Sequence, residues 1–344
     1  MPSQRVEKTM NALILTSGSL MAARILSAWL GAGHTVAALW IGSKKTAQFL
    51  RRDRALGRFA PSWSIAALTQ RHGFPVVQNP RLAGWTEAES EIARLKADML
   101  ITAITHQIVP DRILALFGGR AVNFHPTILP HYRGAAPRIG MLIDGTAELY
   151  GGVTLHCLAH GIDEGDIIGV RKVPYEAASG FIDWDVRVAC AAGNLVQNEL
   201  EDYLRGGLLA CPQAENEGSY RRVQRAERTL SGAKSALRCK WLCDQFAGSD
   251  LLRFRSERGE RYVVSRFLGV IGPRTLAKPR IGKHRIEFDA ADARVAVARP
   301  RGSARFVRLF SYWRAIVRTS RRGGLPRLLA GGAPQTYQSH KVMP

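Results

Sequence analysis

Residues 11–41 read NALILTSGSLMAARILSAWLGAGHTVAALWI. The opening NALILT is an almost unbroken apolar run, the pattern of a strand buried in a sheet. Ser17-Gly18-Ser19 interrupts it. Leu20, Ala23, Leu26 and Leu30 then recur at three- and four-residue steps, which predicts a helix closed by Gly31-Ala32-Gly33. Thr35 to Ile41 is a second apolar run. Strand, helix and strand of these lengths predict a right-handed parallel crossover. The glycines are wrongly spaced for a dinucleotide fingerprint, so this architecture does not by itself name a function.

Working outward, residues 43–60 carry Lys44, Lys45, Arg51, Arg52, Arg54 and Arg58 and look irregular. They read either as a substrate- or phosphate-binding insertion or as a solvated helix. Helices are expected over 62–72 and 86–96. Strands are expected over Phe74–Val77, Asp98–Ile104 and Ala121–Phe124. Another helical stretch covers 111–117. Residues 127–138 are rich in Pro, Gly and Arg and predict a shaped loop, followed by a helix over 139–144. Gly152–Leu158 alternates, with Val153, Leu155 and Cys157 on one face. The loop AHGIDEGD (159–166), a strand over Ile167–Val173 and a long helix over 183–205 complete an α/β, Rossmann-like, mostly parallel domain.

The expected domains are an N-terminal extension (1–10), a catalytic domain (11–205), a linker (206–218), a smaller β-rich C-terminal domain (219–300) and a basic arm (301–344). Within the C-terminal domain a helix is expected over 231–247, with short strands such as Arg261–Ser265 and Arg294–Ala298. In the arm, residues 299–344 hold no acidic residue. There Phe306, Leu309, Phe310, Trp313 and Val317 fall at helical spacing, flanked by Arg305, Arg308, Arg314 and Arg318. That is a basic amphipathic helix, able to pack on the protein or to lie on an anionic membrane or RNA surface. Residues 331–344 read as loose.

The 344 residues are 46% apolar, enough for a large core, and carry a net charge of +21. Such a charge favours anionic partners and says nothing about the reaction. There is no apolar run of membrane-spanning length and no signal-like apolar stretch before the first strand, so a cytoplasmic location is expected. The five cysteines, Cys157, Cys190, Cys211, Cys239 and Cys243, are odd in number and dispersed, against a disulfide framework. Cys239 and Cys243 are one helical turn apart but have no second ligand pair nearby, which favours helix packing over zinc.

The stretch VNFHPTILPHYRGAAP (122–137), followed by GIDEGD (161–166), carries the chemistry. Asn123 and His125 are two apart on a strand and so face the same way, at the carboxyl end where open parallel sheets hold ligands. An amide, an imidazole and a loop carboxylate suit acyl transfer to an amine. Asn123 and His125 N–H groups could stabilise an oxyanion, His125 could carry the proton, and Asp163 could fix its tautomer and support the imidazolium. The local alternative is structural: a packed Asn-x-His pair and capping roles for Asp163 and Asp166.

These motifs resemble the formyltransferase family that uses 10-formyltetrahydrofolate, over roughly residues 11–205. A weaker resemblance extends into the β-rich C-terminal region. The resemblance implies the formyltransferase fold, 10-formyltetrahydrofolate as co-substrate, and Asn123, His125 and Asp163 as catalytic residues, with no metal. It implies folate contacts from three segments: Gln107, Ile108 and Val109; Thr127, Ile128, Leu129 and Pro130; and Ala159, His160, Gly161 and Ile162. His106, His131, His156 and His160 are not demanded as imidazoles by the family pattern and read as local packing or hydrogen bonding. Whether Asp166 takes part is left open.

The acceptor is divided between two readings. Thr127-Ile128 replaces the usual Ser-Leu conservatively, and His-Pro resembles the small-molecule enzymes. The leading acceptor is therefore a small, anionic amine, such as a nucleotide-linked amino sugar. Arg133-Gly-Ala-Ala-Pro137, the length and the charge suit methionyl-tRNA formylation, so tRNA stands as the alternative partner. A formyltetrahydrofolate hydrolase and a non-catalytic folate-binding protein stand behind these. The oligomeric state is left open.

Overall fold

The computed structural model describes residues 9–42, 46–214, 217–300 and 304–321. The N-terminal part runs β1 (Asn11–Thr16), α1 (Leu20–Gly31), β2 (Thr35–Ile41), α2 (Thr46–Gly57), α3 (Ile65–His72), β3 (Val76–Val77), α4 (Ala88–Leu95), β4 (Met99–Ala103), α5 (Asp111–Leu114) and β5 (Ala121–His125). It continues through α6 (Pro137–Asp144), α7 (Ala147–Tyr150), β6 (Gly152–Cys157), β7 (Ile167–Lys172), α8 (Gly180–Leu195) and α9 (Glu201–Leu204). One seven-stranded sheet has the order β3-β2-β1-β4-β5-β6-β7. It is parallel from β3 to β5, and β6 and β7 are antiparallel additions.

The apolar runs are explained by cover on both faces. In β1, Ala12 and Ile14 join the cluster that contains α1 and α8, while Leu13 and Leu15 join a second cluster with Ile92 of α4 and Ile113 of α5. Successive side chains point to opposite faces, so a strand sandwiched by helices needs apolar residues at both parities. β6 departs from the expected alternation for a related reason. Val153 and Leu155 are buried, but so are Thr154 and His156 on the other face, where they meet the loops around the site.

Ser19 caps α1 by accepting from the Ala22 N–H. The expected helix over 183–205 is α8, a π-helical turn over Val196–Leu200, and α9. The segment expected to be irregular contains the helix α2, whose Asp53 and Leu56 are buried and line the cavity described below; residues 43–45 lie outside the described residues. Asp53 of α2 is buried and accepts from the Ser64 hydroxyl and the Ala66 N–H, both at 2.8 Å, which ties α2 to the start of α3. Asp53→Ala is expected to lower the unfolding free energy by about 2 kcal/mol, read as a lower urea midpoint at unchanged slope.

The strand-rich C-terminal segment holds β8 (Thr229–Leu230), α10 (Ala236–Gln245), β9 (Arg253–Arg255), β10 (Arg261–Val263), β11 (Arg266–Gly272), β12 (Arg280–Ile281), β13 (Arg285–Asp289) and β14 (Arg294–Ala298). Its two sheets have the orders β10-β9-β8 and β11-β14-β13-β12. Cys239 and Cys243 are buried on α10.

α11 (Ala304–Arg321) packs against α8 and α2. Its inward face is not the one the spacing suggested. Leu309, Tyr312, Ala315 and Ile316 face the core, whereas Phe310 is 56% exposed. Polar anchors set this rotation: the Tyr312 hydroxyl donates to Asp185 of α8 at 2.8 Å, and Arg308 pairs with Asp250. The side chains of Arg305 and Phe306, and residues 322–344 with the expected loose end, lie outside the described residues.

Candidate active site

The strand order reverses between β1 and β4, and the site lies at the carboxyl ends there. A cavity of about 1040 Å³ is lined by Gly18 and Ser19 after β1, by Ile104 to Val109 after β4, by Asn123 and His125 of β5, and by Leu158 to Asp163 after β6. Asn123, His125 and Asp163, expected to act together, meet here.

Asn123 is saturated. Its Oδ1 accepts from the Thr102 hydroxyl at 2.7 Å. Its Nδ2 donates to Asp163 Oδ1 at 3.2 Å and to His156 Nε2 at 3.0 Å. His156 Nδ1 lies 2.8 Å from the Cys157 carbonyl, which can only accept, so Nδ1 bears the hydrogen and Nε2 receives the Asn123 amide. His156, expected to serve in local packing or hydrogen bonding, is hydrogen-bonded to Asn123 at the centre of the site.

His125 Nε2 lies 2.9 Å from the Tyr132 carbonyl, so Nε2 is the protonated nitrogen of the neutral ring. Nδ1 is left 3.4 Å from Asp163 Oδ2. Burial pushes the His125 imidazole below its ordinary value, although Asp163 and the Tyr132 carbonyl oppose this. Burial would raise the Asp163 carboxyl, but His125, His156 and the Gly134 N–H outweigh it and hold it at about 2. Near neutral pH the pair is thus a carboxylate beside a neutral imidazole whose vacant nitrogen faces it. A proton arriving on Nδ1 would be met at once by the carboxylate.

The loops that carry these groups are conformationally costly. Ile104, Tyr132, Ala136 and Asp163 all have positive φ, at 51°, 58°, 61° and 56°. A β-branched residue such as Ile104 rarely adopts this region. Gly165 is needed for another reason, because a Cβ there would sit 2.0 Å from the Cys157 carbonyl oxygen. Asp166 is exposed and does not line the cavity; its backbone carbonyl accepts from the Cys157 N–H at 2.9 Å.

Of the expected folate segments, Gln107, Ile108, Val109, Ala159, His160, Gly161 and Ile162 line the cavity. Thr127, Ile128, Leu129 and Pro130 are not among its lining residues. The chain turns directly after His125, where the Thr127 N–H reaches the His125 carbonyl at 2.9 Å. Ile128 N–H then bonds the Tyr150 carbonyl, and the Thr154 hydroxyl bridges the Thr127 carbonyl and the Leu129 N–H. These bonds hold the segment against Tyr150 of α7 and Thr154 of β6. Gln107 Nε2 is buried with no hydrogen-bond partner among the described residues, and Ile104, Ile108, Val109, Leu158 and Ile162 give an apolar lining. That pairing fits a flat heteroaromatic ligand with polar edges. His160 is exposed and paired with Asp111 at 2.7 Å.

The same cavity is also lined by residues the sequence did not assign to it: Arg138, Phe181, Asp185, Arg308, Leu309 and Tyr312. Arg138 and Tyr312 both bind Asp185, and the Arg308 guanidinium lies 5.6 Å from the Tyr312 ring. Arg308, Leu309 and Tyr312 belong to the basic amphipathic helix, whose pattern does not say what it covers.

A family model described as formyl transferase matches residues 10–192. Methionyl-tRNA formyltransferase of Listeria monocytogenes is 33% identical over 187 residues, covering 53% of this chain and 58% of that protein. The chain thus matches little more than half the length of such curated relatives. An N-formyltransferase from Helicobacter canadensis, solved with folinic acid and dTDP-3-aminofucose, superposes with a TM-score of 0.56 at 16% identity, over 85% of this chain and 99% of that one. HypX from Aquifex aeolicus, solved with tetrahydrofolic acid, gives 0.53 at 14% identity, over 86% of this chain and 45% of that one. At these identities the structural likeness is one of fold.

Proposed function

The chain belongs to the formyl transferase family, and on that premise we propose that it moves a formyl group from 10-formyltetrahydrofolate to the primary amine of a small acceptor, a nucleotide-linked amino sugar, in the cytoplasm. Among the described residues no helix is long and apolar enough to cross a membrane. The observation that carries the reading is the convergence of Asn123, His125 and Asp163 on a cavity with an apolar lining that also includes Gln107, whose buried Nε2 has no partner among the described residues while its Oε1 accepts from the Leu82 N–H. The donor supplies an electrophilic carbonyl carbon attached to nitrogen.

In this reading the acceptor nitrogen attacks the formyl carbon. His125 Nδ1 takes the proton that the amine loses, and the Asp163 carboxylate stabilises the resulting imidazolium. The carbonyl oxygen gathers negative charge as the new C–N bond forms. The Asn123 hydrogen now on Asp163, the longer of its two bonds at 3.2 Å, is the one available to that oxygen. The bond from carbon to the donor nitrogen then breaks, and the His125 proton passes to that leaving nitrogen.

A small acceptor is favoured because α11 lines the reaction cavity with Arg308, Leu309 and Tyr312, narrowing the space in which the amine is held. The tRNA reading has its own support. The 33% identity is to a methionyl-tRNA formyltransferase. In addition, Arg225, Lys234, Arg255, Arg261 and Arg274 line a hollow in the C-terminal strands. Arg255 lies directly opposite Arg261 across the β9–β10 pair, and like charges so placed repel unless an anion is bound.

The deciding experiment is tetrahydrofolate release from 10-formyltetrahydrofolate, alone and with dTDP-3-aminofucose or charged initiator methionyl-tRNA. Stimulation by the amino sugar is expected. Stimulation by the tRNA alone would replace the acceptor, and its binding should then weaken steeply with salt. Release without an acceptor would mark a hydrolase, and no release at all a folate-binding protein.

The rate should also carry the signature of a depressed imidazole. The base must be neutral, and a lowered value keeps it neutral further into acid. The acid limb of turnover is therefore expected below the ordinary histidine value of 6.5. A limb above it would contradict the assignment of His125 as base.

A further inference from the structure

The segment between α9 and the C-terminal strands, expected to be a plain linker over residues 206–218, makes contacts a linker does not need. Cys211 forms an antiparallel bridge with Ile167. Two residues on, the Gln213 side chain reaches the loop that carries Asp163. Its Nε2 donates to the Asp163 carbonyl and to the Gly165 carbonyl, both at 2.8 Å. Its Oε1 accepts from Arg133 Nη2 at 2.7 Å and Nε at 3.2 Å. The whole amide is used, with each atom on the partner its chemistry requires.

Arg133 belongs to the other loop of the site. Its neighbour Tyr132 supplies the carbonyl held by His125, and its neighbour Gly134 supplies the N–H that binds Asp163 Oδ2 at 2.9 Å. Gln213 therefore joins the two loops whose relative position sets the distance between His125 Nδ1 and the Asp163 carboxylate.

The rest of the strap reinforces this. Ser219 Oγ accepts from the Tyr132 N–H at 2.9 Å, and the Ser219 N–H reaches the Pro130 carbonyl at 3.1 Å. The Arg133 N–H donates to the Ser219 carbonyl at 2.8 Å, and the Arg221 N–H to the Arg133 carbonyl at 3.1 Å. The Tyr220 hydroxyl donates to the Ile162 carbonyl at 3.3 Å and contacts Glu164. Gly218 leaves room for the guanidinium, since a Cβ there would lie 2.9 Å from Arg133 Nη1.

Asp163 sits at φ +56°, a conformation that a loop does not hold cheaply unaided. Among the described hydrogen bonds its carbonyl and that of Gly165 have no donor other than Gln213. Bonds on both sides of one short turn fix the peptide planes and so the direction in which the carboxylate leaves the backbone.

We propose that Gln213 is a positioning residue of the active site: it clamps the Asp163 loop to the Arg133 loop and so aims the Asp163 carboxylate at His125. The part of the test that uses turnover rests on the formyl-transfer reading; the part that follows His125 does not.

Gln213→Leu removes both donors and the acceptor without adding charge. The groups facing His125 are the Asp163 carboxylate, His156 and the Tyr132 carbonyl. With the carboxylate no longer held against Nδ1, the attraction that favours the imidazolium weakens. Ring-nitrogen NMR of His125 is expected to show its titration midpoint moving to lower pH by about half a unit or more, with no folate or acceptor present. Affinity for 5-formyltetrahydrofolate should stay within about threefold. Turnover with whichever of dTDP-3-aminofucose and initiator methionyl-tRNA activates the wild type should fall about tenfold to a hundredfold, the scale for a misplaced catalytic group.

Gln213→Glu keeps the size and the oxygen that binds Arg133 but loses both donors, so its turnover should fall similarly. An unmoved His125 midpoint in Gln213→Leu overturns the proposal, whatever happens to turnover or melting temperature, because a packing role would lower amplitude alone. Wild-type turnover in Gln213→Glu also overturns it, since only the Arg133 contact would then matter. If the wild type binds no 5-formyltetrahydrofolate, the formyl-transfer reading fails, and the NMR result still decides the role of Gln213.

Discussion

His125→Ala is expected to lower turnover by about a hundredfold or more, while leaving affinity for 5-formyltetrahydrofolate within a few fold. In the proposed reading the folate is held by the apolar lining of Ile104, Ile108, Val109, Leu158 and Ile162, which the substitution leaves intact. What it contributes is the vacant Nδ1 facing Asp163, and no neighbour can replace it. His156 is committed through Nδ1 to the Cys157 carbonyl and through Nε2 to Asn123. Loss of the buried ring also leaves the Tyr132 carbonyl without its donor, so melting should be measured alongside. His125→Gln retains an amide donor for that carbonyl but has no titratable nitrogen. It should restore stability without restoring rate. Near-normal turnover in either variant would remove His125 from the chemistry.

The second large effect is expected from Asp163→Asn. Asparagine tolerates the left-handed backbone, so the turn at φ +56° should survive. The charge does not. The carboxylate is held at about 2, and its negative charge is what meets a proton on His125 Nδ1. An amide offers no such charge, and its NH₂ group would oppose the Asn123 amide or the Gly134 N–H. Turnover should fall by about a hundredfold or more with folate binding retained, and the acid limb should move to lower pH as His125 loses its counter-charge. A collapse of folate binding, with a normal rate per bound complex, would instead make Asp163 a structural residue.

These two expectations rest on residues that could be read before any coordinates. Asn123 and His125 share a parity on one strand, and GIDEGD announced a tight loop with a carboxylate. The doubly buried strands were equally legible, because an apolar run such as Leu13-Ile14-Leu15 leaves no solvent face. Periodicity records which way the residues of one element point relative to each other, and a turn motif records local backbone demands. Both are properties of neighbours in the chain.

Contacts between distant segments decided the rest. Pairing of β5 with β6 set Asn123 opposite His156, and no spacing in either strand contains that register. The segment after His125 was held by bonds to Tyr150 and Thr154. The basic helix of the C-terminal arm was visible as a helix, but its rotation was fixed by Tyr312 on Asp185 and Arg308 on Asp250, which put Phe310 in solvent and made the helix part of the cavity lining. Gln213 was one polar residue in a stretch of linker composition until folding brought Arg133 and the Asp163 loop to its two ends. The sequence by itself determined the parallel α/β sheet, because local patterning dictates it, and pointed to Asn123, His125 and Asp163 through the resemblance that their motifs carry. Only the tertiary structure decided what surrounds that set, because a hydrogen bond across many tens of residues depends on where the whole packed chain places its two ends.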